Sequence, residues 1–136
     1  MTARDDKRRS SCPIACSLDI LGDKWTLLVV RDMVVERKRY FREFLESPEG
    51  IASNILTDRL KRLEDSGIVS RRPDPDNARQ VIYELTEKGK DLIPVLLDLG
   101  SWGLKHNART VMHKNIARRL KSGREELIAE LKATLK

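Results

Sequence analysis

The sequence predicts a mainly α-helical fold that contains one small β-hairpin. Over most of the chain, apolar residues recur every three or four positions, which is the spacing of an amphipathic helix. Residues 68–73 and 81–86 break this pattern, because they alternate in polarity and are rich in β-branched side chains. The polar sequence DPDNARQ separates them, so the two segments are expected to pair as a hairpin.

Two helices are predicted near the start of the chain. Pro13 is suited to the first turn of the first helix, and Gly22 is suited to its end. The apolar face of this helix holds Ile14 and Leu18. Asp23 can cap the helix that follows. The apolar positions of the second helix are Trp25, Leu28, Val29, Met33 and Val34.

The helix predicted from about Ala52 to Ser66 has the clearest pattern. Leu56, Leu60 and Leu63 share one side of it, and Gly67 is placed to end it. The hairpin follows directly. A polar-faced helix with a hairpin behind it is the layout of a winged helix-turn-helix, in which the hairpin is the wing.

The rest of the chain is predicted to be helical. One long helix opens at Thr86 and stops near Asn107, and residues 110–136 form one or two further helices broken near Ser122-Gly123. An apolar stripe there consists of Leu127, Leu131 and Leu135. The predicted division is a flexible basic tail at 1–11, the winged domain at 12–107 and a C-terminal helical extension at 108–136.

Composition limits the binding partners and the cellular compartment that can be expected. A formal charge of +6 and a pI near 9.5 favour a polyanion, either nucleic acid or an anionic membrane surface. No apolar run approaches the roughly 18 residues needed to span a bilayer, so a membrane protein is not expected. Cys12 and Cys16 do not make a disulfide framework, and we therefore expect a cytoplasmic protein located at the nucleoid.

The helix from Ala52 to Ser66 carries the features of a recognition helix, one that reads bases in the major groove. Rotation of about 100° per residue places its polar side opposite the leucines. Serine, threonine, asparagine and lysine can all bond to base edges or phosphates there. An ordinary amphipathic surface helix is the alternative, which the adjoining hairpin and cations disfavour. The predicted recognition residues are Ser53, Asn54, Thr57 and Lys61, with Asp58 at the margin.

Two clusters of cations flank this helix. Arg37, Lys38, Arg39 and Arg42 stand at the start of a short third helix, over about 40–45, and could grip phosphates. The alternative for any one of them is a solvated surface charge. The predicted wing contributes Arg71, Arg72 and Arg79, of which Arg79 is expected at the tip, where an arginine can enter the minor groove.

Several motifs together resemble the HxlR family of bacterial regulators, which are MarR-like winged-helix proteins. They are CPIACSLDILGDKW at 12–25, Gly50-Ile51, LTDRLKRLEDSGIV at 56–69, YELTEKG at 83–89, and Trp102. The resemblance covers about residues 12–105. It implies a dimer that binds pseudo-palindromic operators, often as a repressor. The wing DPDNARQ departs from the proline-rich wing of many members, and the resemblance does not explain residues 108–136.

Some members of that family sense oxidants or electrophiles through a cysteine near the start of the first helix, and Cys12 occupies the matching place. A helix N-terminus and the nearby Arg8 and Arg9 would stabilise a reactive thiolate. A structural cysteine is the alternative. Cys16 is expected to be buried rather than paired with Cys12, and a Cys12–Cys12 bond across a dimer stays open.

Specific DNA affinity normally needs two half-sites, so a homodimer is expected. Apolar residues beyond the needs of a small winged core predict the interface, although the C-terminal stripe could instead fold back on its own subunit. The predicted interface residues are Ile14, Leu18, Leu96, Leu99, Trp102, Leu127 and Leu131.

Nothing in the sequence predicts an enzyme, a metal site or a cofactor. His106 and His113 are seven residues apart, about 10 Å along a helix, which is too far for one metal ion. There is no zinc-ligand spacing, phosphate loop or nucleophile elbow. Two alternatives to a specific DNA-binding regulator remain, a winged-helix protein-interaction module and a sequence-indifferent nucleic-acid binder.

Overall fold

The computed structural model describes residues 10–112 and 114–135. Most of the predicted basic tail, including Arg8 and Arg9, lies outside these residues, as does His113. In chain order the elements are α1 (Pro13–Leu21), α2 (Thr26–Val34), α3 (Phe41–Leu45), α4 (Ser53–Asp65), β1 (Val69–Asp74), β2 (Asn77–Leu85), α5 (Glu87–Lys90), α6 (Ile93–His106), α7 (Lys114–Ser122) and α8 (Arg124–Thr134).

The predicted helix boundaries near the start of the chain are confirmed. Pro13 begins α1, and Gly22 follows its last residue. The Asp23 carboxylate accepts hydrogen bonds from the amides of Trp25, at 2.8 Å, and Thr26, at 3.1 Å. These amides have no partner inside the first turn of α2, so Asp23 acts as the predicted cap.

One apolar core unites the winged domain. Val30 of α2, Leu56 of α4 and Ile93 of α6 are fully buried in it, together with Phe44 of α3. Ile68 and Val69 join the base of the hairpin to the same cluster. Helix α4 and the hairpin are therefore held by shared apolar packing, which is the main source of stability in such domains.

The hairpin is longer than predicted on its second strand. Val69 pairs with Leu85 and Pro73 with Val81, but the next pair is Asp74 with Asn77. Residues 78–80 therefore have no partner in β1 and form a bulge. The strand β2 begins at Asn77 rather than at residue 81, because much of the polar segment expected as a loop is extended backbone.

The long helix expected from Thr86 to Asn107 is divided. A short α5 ends at Lys90, and α6 begins at Ile93 with Pro94 in its first turn. Proline cannot donate a backbone hydrogen bond, and its ring clashes with the carbonyl four residues earlier, here that of Lys90. Pro94 is accepted only where a new helix starts, which accounts for the division.

The C-terminal extension contains two helices broken at Gly123, as predicted, but its apolar stripe does not project outward. Leu127 and Ile128 of α8 are buried in the same core as α2 and α6, and Leu131 packs against that core. Arg124 bonds Asp98 of α6 at 2.9 Å. The expectation that Leu127 and Leu131 form a dimer interface is therefore wrong for this arrangement, because their own subunit covers them.

Within residues 10–112 and 114–135, no helix has both the length and the apolar character needed to cross a membrane.

Candidate nucleic-acid interface

The helix α4 presents one polar face and buries the other. Backbone geometry sets its limits, since Gly50 before it and Gly67 after it adopt positive φ values of 71° and 75°. Leu56, Leu60 and Leu63 point into the core, as predicted. The opposite side is thereby left exposed, and it bears the predicted recognition residues Ser53, Asn54, Thr57 and Lys61.

The polar face retains unused hydrogen-bonding capacity. The Thr57 hydroxyl donates to the Ser53 carbonyl at 2.9 Å and keeps lone pairs that can accept. The side chains of Ser53 and Asn54 have no partner within the described part of the chain. The Lys61 ammonium lies 3.6 Å from Asp65 in an exposed pair, which costs little to open. These groups can therefore turn to a ligand in a groove.

Asp58 lies at the margin of this face and is paired there. Its carboxylate contacts the Arg59 guanidinium, and Nη1 of Arg62 lies 3.8 Å away. The negative charge is thereby offset where a phosphate would approach. Arg62 is a half-exposed cation of α4 that the sequence reasoning missed, although its spacing of four residues from Asp58 is a helical ion-pair signal.

An ion pair fixes α4 against the start of α2. Arg59 Nε donates to Asp23 Oδ1 at 3.0 Å. Burial alone would raise the pKa of Asp23, but hydrogen bonds from Thr26, from Arg59 and from the capped amides hold that pKa well below its usual range. The same pairing raises the pKa of Arg59. The carboxylate of Asp23 therefore stays charged and remains bonded to α4.

The cations predicted at the start of α3 occupy different places. Arg37, Lys38 and Arg39 lie in the turn before α3, and only Arg42 is on the helix. Arg37 is exposed and has a positive φ of 55°. Arg42 is exposed, with its guanidinium 5.6 Å from the centre of the Tyr40 ring. These two arginines remain available to phosphates.

Lys38 differs from the expectation of a phosphate contact. Its side chain is only 16% exposed, and its ammonium lies 3.0 Å from the Ser47 hydroxyl and 3.7 Å from the Asp32 carboxylate. Asp32 is itself buried and accepts from Ser47. A buried carboxylate needs such partners, so Lys38 has a structural role in the turn between α2 and α3.

Sequence reasoning also missed a network beside α4. Arg31 donates two hydrogen bonds to Glu49, at 2.7 and 2.8 Å, and two to Asp32, at 2.8 and 3.2 Å. The pairing raises the pKa of Arg31 and lowers that of Glu49. This network fixes the segment that enters α4. A possible signal was Asp32 itself, an acid among the apolar positions of α2.

Contacts along its length anchor the hairpin. The Tyr40 hydroxyl donates to Asp74 at 2.9 Å, and the Tyr83 amide donates to the Arg39 carbonyl at 2.8 Å. Glu84 of β2 accepts from Arg72 at 2.7 Å and from Arg39 at 3.4 Å. Two of the predicted phosphate and wing cations are therefore partly committed to one carboxylate.

The wing arginines have distinct positions. Arg71 is exposed on β1 and has no ion pair with any described residue. Arg79 was expected at the tip but lies in the bulge of β2, because Pro75 and Asp76 form the turn. Arg79 and Arg42 both line a groove of about 380 Å³ between the hairpin and α3.

The cysteines lie near the first turn of α1. Cys12 immediately precedes Pro13 and is exposed, whereas Cys16 is half-buried and its thiol donates to the Ser10 carbonyl at 3.2 Å. Both thiols are free. Of the cationic neighbours expected for Cys12, Arg8 and Arg9 lie outside the described residues.

Other predicted interface residues remain on the surface. Ile14 is 72% exposed and Trp102 is 66% exposed, and both Leu18 and Leu99 are more than half exposed. Leu96 is half-buried against the core. The Trp102 ring lies 5.2 Å from that of His106, between centroids. Among the described residues, no group of three or more His, Cys, Asp or Glu side chains could hold a metal ion.

Comparison with known proteins shows what this arrangement is similar to. Residues 20–112 match the model of a family described as HxlR-like helix-turn-helix. The HTH-type transcriptional regulator YdeP of Bacillus subtilis strain 168 is 36% identical over 98 residues, which are 72% of this chain and 76% of YdeP.

Two solved structures add to this similarity. The redox regulator HypR in its oxidized form has a TM-score of 0.63 and 35% identity, over 74% of this chain and 100% of HypR. Quinone-bound YodB from B. subtilis has a TM-score of 0.57 and 31% identity, over 69% of this chain and 98% of YodB. The winged helix-turn-helix fold predicted from the sequence is thereby confirmed, with the hairpin as its wing.

Proposed function

This chain belongs to the HxlR-like helix-turn-helix family of DNA-binding transcriptional regulators, and we propose that it is a sequence-specific repressor that binds a pseudo-palindromic operator as a homodimer. The observation that carries the proposal is the exposed polar face of α4. Asn54 and Thr57 lie on that face, while the leucines on the other side and the Asp23–Arg59 pair hold the helix in place.

The helix α4 reads base edges from the major groove in this proposal. A major groove about 12 Å wide admits one α-helix. Asn54 can bond bidentately to adenine, Thr57 can accept from a base amine or contact a thymine methyl group, and Lys61 can reach guanine. These three residues supply the sequence preference.

Cations outside α4 bind the sugar-phosphate backbone. Arg42 and Arg79 face a common groove between α3 and the hairpin, and no carboxylate lines that groove. Arg71 adds an exposed charge on the wing. Contacts of this kind position a protein on DNA without selecting a sequence, so they supply affinity that falls with salt.

The homodimer forms through α1 and α6. Ile14, Leu18, Leu99 and Trp102 are large apolar side chains left in water by the single subunit. Exposed apolar residues that cluster on two helices are typical of a self-association surface. A two-fold dimer would present two copies of α4 to successive turns of the major groove, about 34 Å apart.

The repressor responds to oxidants or quinones through Cys12. Support comes from two similar structures, a redox regulator in an oxidized form and a regulator with bound quinone. In this chain the exposed Cys12 thiol lies two residues before Ile14 of the proposed dimer surface. Modification there would disturb the dimer and release the operator.

Binding-site selection from a random duplex library tests the DNA-binding proposal. The expected result is a two-fold symmetric sequence whose half-sites are about 10 base pairs apart. Enrichment of no sequence would contradict it.

For the redox proposal, wild-type protein should lose operator affinity after treatment with a quinone. Loss of affinity to the same extent in Cys12→Ser would exclude Cys12 as the sensor.

A further inference from the structure

A groove lies between α6 and α7, away from the recognition helix and the hairpin. Its volume is about 480 Å³, which is within the range of small-molecule sites, roughly 300–1,000 Å³. No residue of α4, β1 or β2 lines it. The lining residues are Ser101, Leu104 and Lys105 of α6 and Ala117, Leu120 and Lys121 of α7.

The two walls of the groove have the same pattern. Each helix contributes a small residue, a leucine three positions later and a lysine directly after the leucine. Positions i, i+3 and i+4 share one face of a helix, so the two leucines form an apolar floor. Leu104 is 37% exposed, and Leu120 is only partly buried. The floor therefore leaves apolar surface in water that a ligand could cover.

The charge around the groove has one sign. From Leu99 to Arg124 the sequence contains seven lysines and arginines and no aspartate or glutamate, which exceeds the formal charge of +6 of the entire chain. Arg119 and Arg124 are neutralised by acids of other segments. The exposed ammonium groups of Lys105 and Lys121 form no ion pair with a described residue. An anion would be attracted to the rim.

We propose that this groove binds a free amphiphilic carboxylate, a small organic acid with an apolar chain. The chain would lie between Leu104 and Leu120, and the carboxylate would lie between Lys105 and Lys121. A fully polar polyanion would leave the apolar floor uncovered, and a neutral apolar molecule would leave both ammonium groups unpaired. Helix α7 lies beyond the residues that match the family model, so the extension supplies one wall of this site.

Calorimetric titration of the full chain with sodium octanoate, kept below its micelle concentration and without DNA, tests the proposal. We expect saturable binding at one site per chain. Lys105→Gln with Lys121→Gln should weaken it about tenfold, since each exposed charge pair contributes modestly. Arg109→Gln with Arg118→Gln is the matched control, because these exposed cations of the same segment do not line the groove.

Two further titrations separate the charge from the floor. The neutral probe 1-octanol should bind the wild type and the Lys105→Gln, Lys121→Gln variant with equal affinity. Leu104→Asn should weaken the binding of both octanoate and octanol. The proposal is overturned if folded wild-type protein shows no saturable octanoate binding. Equal affinity of the lysine variant and the wild type for octanoate would overturn it as well. Circular dichroism establishes that each variant is folded, and none of these outcomes depends on DNA binding.

Discussion

Arg59 Nε lies 3.0 Å from Asp23 Oδ1, and this contact joins α4 to the start of α2. Asp23 also accepts hydrogen bonds from the amides at the start of α2, so a single carboxylate contacts two helices. How a helix enters the major groove depends on how it is held on the rest of its domain. The pair therefore links local capping to the orientation of α4.

Replacement of Asp23 should destabilise the fold measurably. Asp23→Ala removes a helix cap and leaves the Arg59 guanidinium, only 17% exposed, without its partner. We expect a loss of about 1–2 kcal/mol in the free energy of unfolding, measured with urea at pH 7. Glu36→Ala is the control, since this exposed acid has no ion pair with a described residue, and its stability should match the wild type.

The same residue gives a signature in acid. Folding lowers the pKa of Asp23, so its contribution is complete above the ordinary aspartate value of about 3.9 and is lost as pH falls through the lowered pKa. Asp23→Asn keeps the cap but not the charge. The difference in stability between wild type and Asp23→Asn should be constant from pH 7 to about pH 5 and shrink below about pH 4. A constant difference down to pH 2 would contradict this assignment.

Two glycines should respond in opposite directions. A Cβ on Gly89 would lie 2.2 Å from the Ile68 carbonyl oxygen, a backbone atom that cannot move aside, so Gly89→Ala should cost about 2 kcal/mol or more. A Cβ on Gly103, inside α6, would meet nothing within 4 Å, so Gly103→Ala should stabilise by about 0.5–1 kcal/mol. Thermal unfolding of both variants checks the pair, and a stable Gly89→Ala would disprove the close packing of α5 on the Ile68 carbonyl.

Most of the fold could be predicted because the spacing of apolar residues and the residues that end helices and form turns were clear. The leucines of α4 and the glycine that ends it identify that helix, and β-branched alternation identifies the hairpin. The C-terminal stripe shows the limit. A periodic pattern says that Leu127 and its neighbours need cover, but not which surface supplies it. The ion pair of Arg124 with Asp98, twenty-six residues apart, is a tertiary contact that no local pattern encodes.

Substitutions in the core and at the proposed dimer surface should therefore have different effects in solution. Leu127→Ala should lower the stability of the subunit by about 2–5 kcal/mol, because it opens a cavity in the core. Leu99→Glu should instead shift the sedimentation of the protein from dimer to monomer with the subunit still folded. Val111→Glu, at a position 95% exposed and outside the proposed surface, is the control for the added charge. A dimer that survives Leu99→Glu and Trp102→Glu would argue against the α1–α6 interface.

The two kinds of cation before and on α3 should also behave differently. Arg42→Gln should weaken binding to every duplex and reduce the salt slope of log K by about 1, as expected for one lost phosphate contact. Lys38→Gln should mainly lower stability, because it disrupts a partly buried pair with Asp32, and should leave the salt slope near the wild-type value. Fluorescence anisotropy at several salt concentrations measures the salt slope of both variants. A larger change of slope in Lys38→Gln than in Arg42→Gln would reverse the assignment.

The candidate site was predictable in part for similar reasons. Helical rotation groups Asn54, Thr57 and Lys61 on one face, and the structure groups them there as well. Helical rotation alone does not predict that Lys38 turns inward, since that depends on the burial of Asp32 and Ser47. The place of Arg79 was also out of reach, because strand alternation in a polar segment is weak and the bulge is set by register.

The most direct test of sequence-specific recognition by α4 is the ratio of affinities for the selected duplex and for a scrambled duplex of equal length. At one fixed salt concentration, the wild type should prefer the selected duplex by about a thousandfold or more. Asn54→Ala and Thr57→Ala should reduce this ratio, each by about 1–3 kcal/mol in discrimination, while affinity for the scrambled duplex stays the same. Equal loss on both duplexes, or an unchanged ratio, would contradict the assignment of α4 as the reading helix.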